Sequence, residues 1–127
     1  MSTTSSILGI ENQLELIRGA SKVLELHVED SEGVHVNITG SRIVMTVKCQ
    51  LSDRDPAFQK DSAVGIAEVE LTDAPNGIAQ IKISPSDTKN LDVGDYVFDI
   101  WIVLASGAQH LIVGPSTLTI MAGGTVL

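Results

Sequence analysis

Gly94-Asp95-Tyr96-Val97-Phe98-Asp99-Ile100-Trp101-Ile102-Val103-Leu104 decides how this chain folds. Three of the four aromatic residues fall in this one run, and its apolar pattern has period two. Tyr96, Phe98, Ile100, Ile102 and Leu104 leave one side of an extended backbone, and Val97, Asp99, Trp101 and Val103 leave the other. Successive side chains of a pleated strand point to opposite faces, so the alternation predicts a strand. Both faces are largely apolar, which predicts a central strand covered on each side. Ser106-Gly107 then signals a turn, and His110-Leu111-Ile112-Val113 before Gly114-Pro115 predicts the returning strand of a hairpin.

Working outward, other segments alternate in the same way. Ser21 to Glu29 sets Leu24, Leu26 and Val28 against Val23, Glu25, His27 and Glu29, a strand with one wet face. Asp30 to Gly33 is a turn, Val34 to Gly40 a short extended return and Ser41 to Leu51 a long strand. Ser52 to Ser62 is polar and holds Pro56; it is expected to be the longest surface loop, with a short edge strand at Ala57 to Lys60. Ala63 to Leu71 is expected as a strand, Asp73-Ala74-Pro75-Asn76-Gly77 as a turn and Ile78 to Ile83 as a strand. Ser84-Pro85-Ser86-Asp87-Thr88 opens a single helical turn near 84–91. Ser84 is its N-cap, Pro85 takes its first position and Asp87 favours its N-terminus. Ser116 to Ala122 closes the pattern, and the segment from Glu11 to Gly19 is a short edge strand or arm.

About seven strands separated by turn signals, with no long amphipathic helix, predict an all-β, immunoglobulin-like antiparallel β-sandwich. The expected organisation is a flexible arm at 1–10, one sandwich domain at 11–122 and a flexible tail at 123–127. At 127 residues the chain is one domain with enough core to fold without a disulfide or metal. The expected core is Leu24, Leu26, Val28, Ile43, Met45, Val47, Val69, Ile81, Ile83, Tyr96, Phe98, Ile100, Ile102, Leu118 and Ile120.

Composition narrows the function. The net charge of −8, from 16 acidic and 8 basic residues, leaves no basic patch for nucleic acid. Aromatics at 3% argue against a stacking surface for bases or sugars. No apolar run reaches the roughly 18 residues of a membrane helix, and the polar start lacks the two regions of a signal peptide. The single Cys49 is expected as a buried, inert residue on the face of Ile43, Met45 and Val47, which fits folding in the cytosol.

The residues able to do chemistry are scattered. His27, His35 and His110 lack metal-ligand spacing and are expected as surface residues. The acidic turn Glu29-Asp30-Ser31-Glu32 lacks the calcium-loop pattern. Asp53, Asp55 and Asp61 crowd the long loop with Arg54, and are expected to be solvated rather than an acid–base pair. Asp99, in mid-strand, needs a partner, for which Arg42 or Lys48 is the candidate. Asn37-Ile38-Thr39 is a glycosylation triplet expected to be coincidental. The sequence therefore names no catalytic, cofactor-binding or metal-ligating residue and predicts no enzyme and no cofactor.

Several pieces occur in a suggestive order. Leu24-x-Leu26-x-Val28-Glu29-Asp30-x-x-Gly33 precedes Val36-Asn37-Ile38-Thr39-Gly40. Gly77 to Ile83 leads into Ser84-Pro85-Ser86-Asp87-Thr88, followed by Leu91-x-x-Gly94-Asp95-Tyr96-Val97-Phe98-Asp99-Ile100-Trp101. Ser106-Gly107 and Ile112 to Ile120 end the series. Over residues 14 to 122 this resembles the immunoglobulin-like β-sandwich domain of tailed-phage virion proteins, of the kind at the N-terminus of phage baseplate upper proteins. Asp99 matches the acidic residue that follows the Tyr-x-Phe/Tyr pair there. The resemblance implies a non-enzymatic structural component of the baseplate, tail or head, or a capsid decoration. It further implies synthesis in the host cytoplasm, residence in the virion, and partners that are other virion proteins and copies of itself, with no nucleic acid and no membrane. Baseplate upper proteins continue into a coiled coil or receptor-binding part, whereas this sequence stops at Leu127; residues 1–10 and 123–127 are then the expected contacts with neighbours. The alternative is a stand-alone immunoglobulin-like ligand- or protein-binding module, for which Phe58 is the one loop aromatic. Independently of any resemblance, Tyr96 is expected to bury its ring and to leave its hydroxyl for a backbone partner.

Overall fold

The computed structural model describes residues 3–7 and 13–123. Within them the chain forms nine strands: β1 (Thr3–Ile7), β2 (Gln13–Ile17), β3 (Lys22–Asp30), β4 (Arg42–Lys48), β5 (Phe58–Asp61), β6 (Val69–Asp73), β7 (Ile78–Ile83), β8 (Gly94–Val103) and β9 (Gln109–Met121). They make a four-stranded sheet, ordered β1-β3-β7-β6, and a five-stranded sheet, ordered β2-β9-β8-β4-β5. Every pairing is antiparallel except that of β2 with β9. The core lies between the sheets, because alternation gives each one apolar face.

The inner residues of β8 set the pattern. Tyr96, Phe98, Ile100 and Ile102 are buried and face Ile43, Met45 and Val47 on β4 and Leu118 on β9. Leu24, Leu26 and Val28 on β3 and Ile81 and Ile83 on β7 supply the opposite wall, and Val69 adds to it from β6. All fifteen residues expected in the core are buried; Leu14, Leu16, Ile38, Ala79 and Ile112 join them. The parallel register sets Leu14 beside Leu118 and Leu16 beside Ile120, so β2 extends the same apolar layer.

The structure corrects several expectations. Residues 3–7, assigned to a flexible arm, pair with β3 as an edge strand; residues 1–2, 8–12 and 124–127 lie outside the described residues. Val34 to Gly40 is no strand. It touches β3 through one isolated bridge, Glu29 with His35, and crosses to the other sheet with Ile38 buried. β4 ends at Lys48, so Cys49 falls in the following bend and is exposed. The apolar run Ala63-Val64-Gly65-Ile66-Ala67 is a turn rather than a strand, with Gly65 at φ 151° and Val64 and Ile66 about 70% exposed. Finally, the last two expected strands are a single strand, β9. Gly114 and Pro115 sit where two residues oppose Asp99, a bulge that accommodates a residue with no N–H to donate.

Two local devices fix how the sheets close. At one end the chain turns through a 3₁₀ segment, Ala74–Asn76, into Gly77 at φ 75°. A Cβ there would lie 2.5 Å from the Val28 carbonyl oxygen and 2.7 Å from that of Val36, so backbone occupies the space of any side chain. At the other end helix α1 (Pro85–Thr88) crosses between sheets. The Asp87 carboxylate accepts from the Ser84 backbone N–H at 2.7 Å and from the Ser84 hydroxyl at 3.1 Å. It also meets the Lys60 ammonium at 2.5 Å. Lys60 opposes Met45 and is only 4% exposed, so its charge is drawn inward and neutralised by the crossover helix. Leu91 packs against the core just beyond it.

Two stability measurements check these devices. Gly77→Ala should lose at least about 2 kcal/mol, the sum of left-handed strain and backbone clash; a urea midpoint equal to the parent's would show that the loop yields freely. Lys60→Ala should lose about 3 kcal/mol by leaving Asp87 without its cation. Its effect should shrink in an Asp87→Ala background, and strict additivity would mean the two charges are not coupled.

Candidate functional site

The two outer faces of the sandwich differ. On the four-stranded sheet, Glu25, His27, Glu29, Gln80, Lys82 and Glu70 point to water, with Val23 the exposed apolar exception. Glu25 meets His27 Nε2 at 2.6 Å, and Lys82 donates to Glu70 at 2.8 Å. The five-stranded sheet presents an apolar row instead. Trp101, 42% exposed, stands between Val44 on β4 and Leu111 on β9, the latter 41% exposed, with Val103 in the next row. The expectation that β8 is covered on both faces is therefore wrong: β8 is central, and its second face is open.

Polar groups rim this row. The Trp101 indole N–H donates to Asp99 at 3.4 Å. Gln59 donates to the Thr46 hydroxyl at 2.9 Å. Arg42, one of the two partners expected for Asp99, pairs instead with Asp61: its Nε donates to Oδ1 at 2.9 Å and its Nη2 contacts Oδ2. Strand order explains this, since β5 brings Asp61 beside Val44, next to Arg42. The Arg42 hydrogen bond holds the Asp61 carboxyl below its ordinary value of 3.8, against the opposing effect of burial, and the same pair raises the pKa of Arg42. Lys48, the other expected partner, lines a shallow depression of about 30 Å³ together with Asp99, Thr46, Leu51, Val97 and Phe98. That volume is far below the several hundred Å³ typical of a small-molecule site.

The remaining chemically capable residues hold the fold. Asp53 accepts from the Gln50 N–H at 2.9 Å and closes its own turn. Asp61 also accepts from the Ala63 N–H, so Asp53 and Asp61 do not converge on a shared proton. Asp30 accepts from the backbone N–H groups of Glu32 and Val34, which makes the acidic turn a capped loop. Asn37 accepts from the Thr39 N–H and hydroxyl. His27 and His110 lie on opposite sheets and His35 in the β3–β4 connection. Among the described residues no group of three or more His, Cys, Asp or Glu could hold a metal ion, and no helix is long and apolar enough to cross a membrane. Tyr96 buries its ring and donates from its hydroxyl to the Asp92 carbonyl at 2.7 Å, as expected, and burial raises its pKa above 10.0. Phe58, the aromatic expected in the loop, is half-buried against the core.

No protein-family profile and no curated protein matches the sequence. Solved structures do match the fold. The CopC protein from Methylosinus trichosporium OB3b aligns over 98% of this chain and 99% of its own, with 14% identity and a TM-score of 0.51. A chain of the structure "Structural basis of T cell specificity and activation by the bacterial superantigen toxic shock syndrome toxin-1" aligns over 94% and 100%, with 13% identity and a TM-score of 0.53. The Lin-41 filamin domain aligns over 94% and 93%, with 21% identity and a TM-score of 0.48. At these identities the likeness is one of fold alone: the chain is an immunoglobulin-like β-sandwich.

The lowered Asp61 pKa gives this ion pair a pH signature. Its contribution to stability is complete above the ordinary carboxylate value and is lost as pH falls through the depressed one. Asp61→Asn should therefore destabilise at neutral pH and reduce the loss of stability below about pH 4. Urea titrations at pH 7 and pH 3 measure this, and an acid dependence equal to the parent's would contradict it.

Proposed function

We propose that this domain is a non-enzymatic structural component of a tailed-phage virion, a baseplate, tail or head accessory protein that acts by protein–protein assembly. What supports this reading is the order of motifs from Leu24 to Ile120, which resembles that of the β-sandwich domains of such virions. In this fold those residues have scaffolding work. Asp87 caps the crossover helix, Tyr96 ties β8 to the Asp92 carbonyl and Gly77 lets the β6–β7 turn lie against β3 and the β3–β4 connection. Trp101 and Leu111, exposed in one row with half-buried Val44, fit contact with another protein, since aromatics with a polar rim are what interfaces bury. The ligand-binding alternative leans on Phe58, which is packed against the core rather than offered to a ligand. Its partners are then other virion proteins and further copies of itself, in a particle assembled from protein made in the host cytoplasm.

The test is made on particles purified by density gradient from lysates of the cells that carry the sequence. Mass spectrometry should find the chain at particle density in a fixed ratio to the main structural proteins, and immunogold should mark one location on the particle. A chain recovered only from the soluble fraction, with none banding with particles, rejects the proposal.

A further inference from the structure

We propose that β5 is an acid-released latch: when the carboxylates around it are protonated, its Lys60–Asp61 end lets go of the sandwich and uncovers the edge of β4, while the ladders of β8 stay formed. The first argument is where charge is buried. Among the described residues the buried charged side chains are Asp30, Lys60 and Asp61, and two of the three are consecutive in β5. β5 is also the shortest of the described strands, four residues set against Val44 to Val47 of β4. Its apolar hold is small: Phe58 is half-buried, and Ala57 just before it packs against the core.

The second argument is that the polar side-chain contacts of these two residues all end on carboxylates. Inward, the Lys60 ammonium meets Asp87 Oδ2 at 2.5 Å, the same oxygen that caps α1. Outward, the Asp61 carboxylate accepts from Arg42 Nε and from the Ala63 N–H, both at 2.9 Å. Along the chain, the Asp61 backbone N–H donates to Glu68 Oε1 at 3.1 Å. Arg42 on β4, Asp87 on α1 and Glu68 in the turn before β6 are thus the charged groups that face this end of β5. On β7, which also packs here, Lys82 turns away to Glu70. Asp53, Arg54 and Asp55 lie in the loop that leads to the Phe58 end.

The third argument is an asymmetry in what protonation does. It weakens all three carboxylate contacts together but leaves Lys60 charged. A buried ammonium without its carboxylate is strongly disfavoured. The strain is relieved when the side chain reaches water, and β5 is free to move because β4 is its one ladder neighbour. The ion pairs of the four-stranded sheet make no such demand, since Glu25–His27 and Glu70–Lys82 lie at its outer surface. Asp30 caps a turn rather than holding a strand edge. Asp61 fixes the pH range. Arg42 holds its carboxyl below the ordinary 3.8, so its part of the latch is complete above that value and is lost as pH falls through the depressed one. Opening therefore belongs below about pH 4. It leaves Val44 to Val47 as a free edge, the kind of surface to which an extended chain adds. The latch does not require the virion role and stands or falls separately from it.

Amide exchange followed by NMR on the full chain, expressed as protection relative to an unstructured chain, tests this between pH 7 and pH 2.5. Protection at Asp61 and Ser62, whose N–H groups donate to Glu68 and to the Ile43 carbonyl, should fall about 100-fold or more. Protection along β8, in the middle of the same sheet, should fall by less than about tenfold. Asp87→Asn, which strands Lys60 at every pH, should show the opened β5 already at pH 7. Lys60→Met combined with Asp87→Asn replaces the buried pair by neutral groups and should recover at least about tenfold of the lost protection at pH 2.5. If Asp87→Asn alone does not fold, the parent and the double variant carry the test. A parent whose β5 amides stay protected at pH 2.5, or lose protection only together with β8, overturns the proposal. So does a folded double variant whose β5 opens in acid as far as the parent's.

Discussion

The register of β8 is the constraint on which the rest of this structure depends. The strand lies between β4 and β9, hydrogen-bonded along both edges. A one-residue slip against either neighbour would turn Asp99 and Trp101 into the core and expel Phe98 and Ile100. Burying Asp99 in that way would cost more than any repacking could return, because a charge without a partner in an apolar interior is strongly disfavoured. The bulges on β9 absorb the irregularity at Gly114 and Pro115 while the β8 alternation stays intact. The Tyr96 hydroxyl, bound to the Asp92 carbonyl, marks where the alternation begins.

The inner half of the structure was readable because its signal is local. Period two in Tyr96 to Ile102, Leu24 to Val28 and Ile43 to Val47 identifies which residues face inward without knowing which strand neighbours which, and all of them are buried. The edge strand near Phe58 and the capped turn at Ser84 were legible for the same reason. What failed were readings that need pairing. Arg42 finds Asp61 through the β4–β5 ladder, a neighbour 19 positions away that no local pattern reveals. Ala63 to Ala67 is apolar enough to pass for a strand, and Thr3 to Ile7 polar enough not to; neighbours rather than composition decide both. The open face at Trp101 is not legible in the sequence, because an apolar outward residue looks the same whether it is covered by the same chain or left bare.

The candidate site has the same origin. No constellation of reactive residues announced it, and none was expected. Its elements are Trp101, Val44 and Leu111 on three different strands, which become one row only when β4, β8 and β9 come into register. The charges around it belong to separate ladders in turn: Arg42 and Lys48 bracket β4, Asp61 ends β5 and Asp99 sits in the middle of β8. On the far side of β5, Lys60 points inward to Asp87, so neighbouring residues of one short edge strand serve the outer rim and the inner closure. A buried pair of this kind adds little net energy compared with apolar packing, but it discriminates against a shifted β5, in which one charge would be stranded.

The parallel pairing of β2 with β9 has a consequence for the order in which the chain is made. Leu14 and Leu16 rest beside Leu118 and Ile120, about a hundred residues later in the chain. During synthesis β1 has β3 to pair with almost at once, whereas the stretch that follows it has no partner until nearly the whole domain has left the ribosome. Two apolar side chains thus wait in the open while eight strands form, and the docking of β2 becomes a late act that seals the sandwich. A nascent chain stalled anywhere before residue 109 would keep that seam uncovered, exposing the β8 edge to whatever strand the cell next presents.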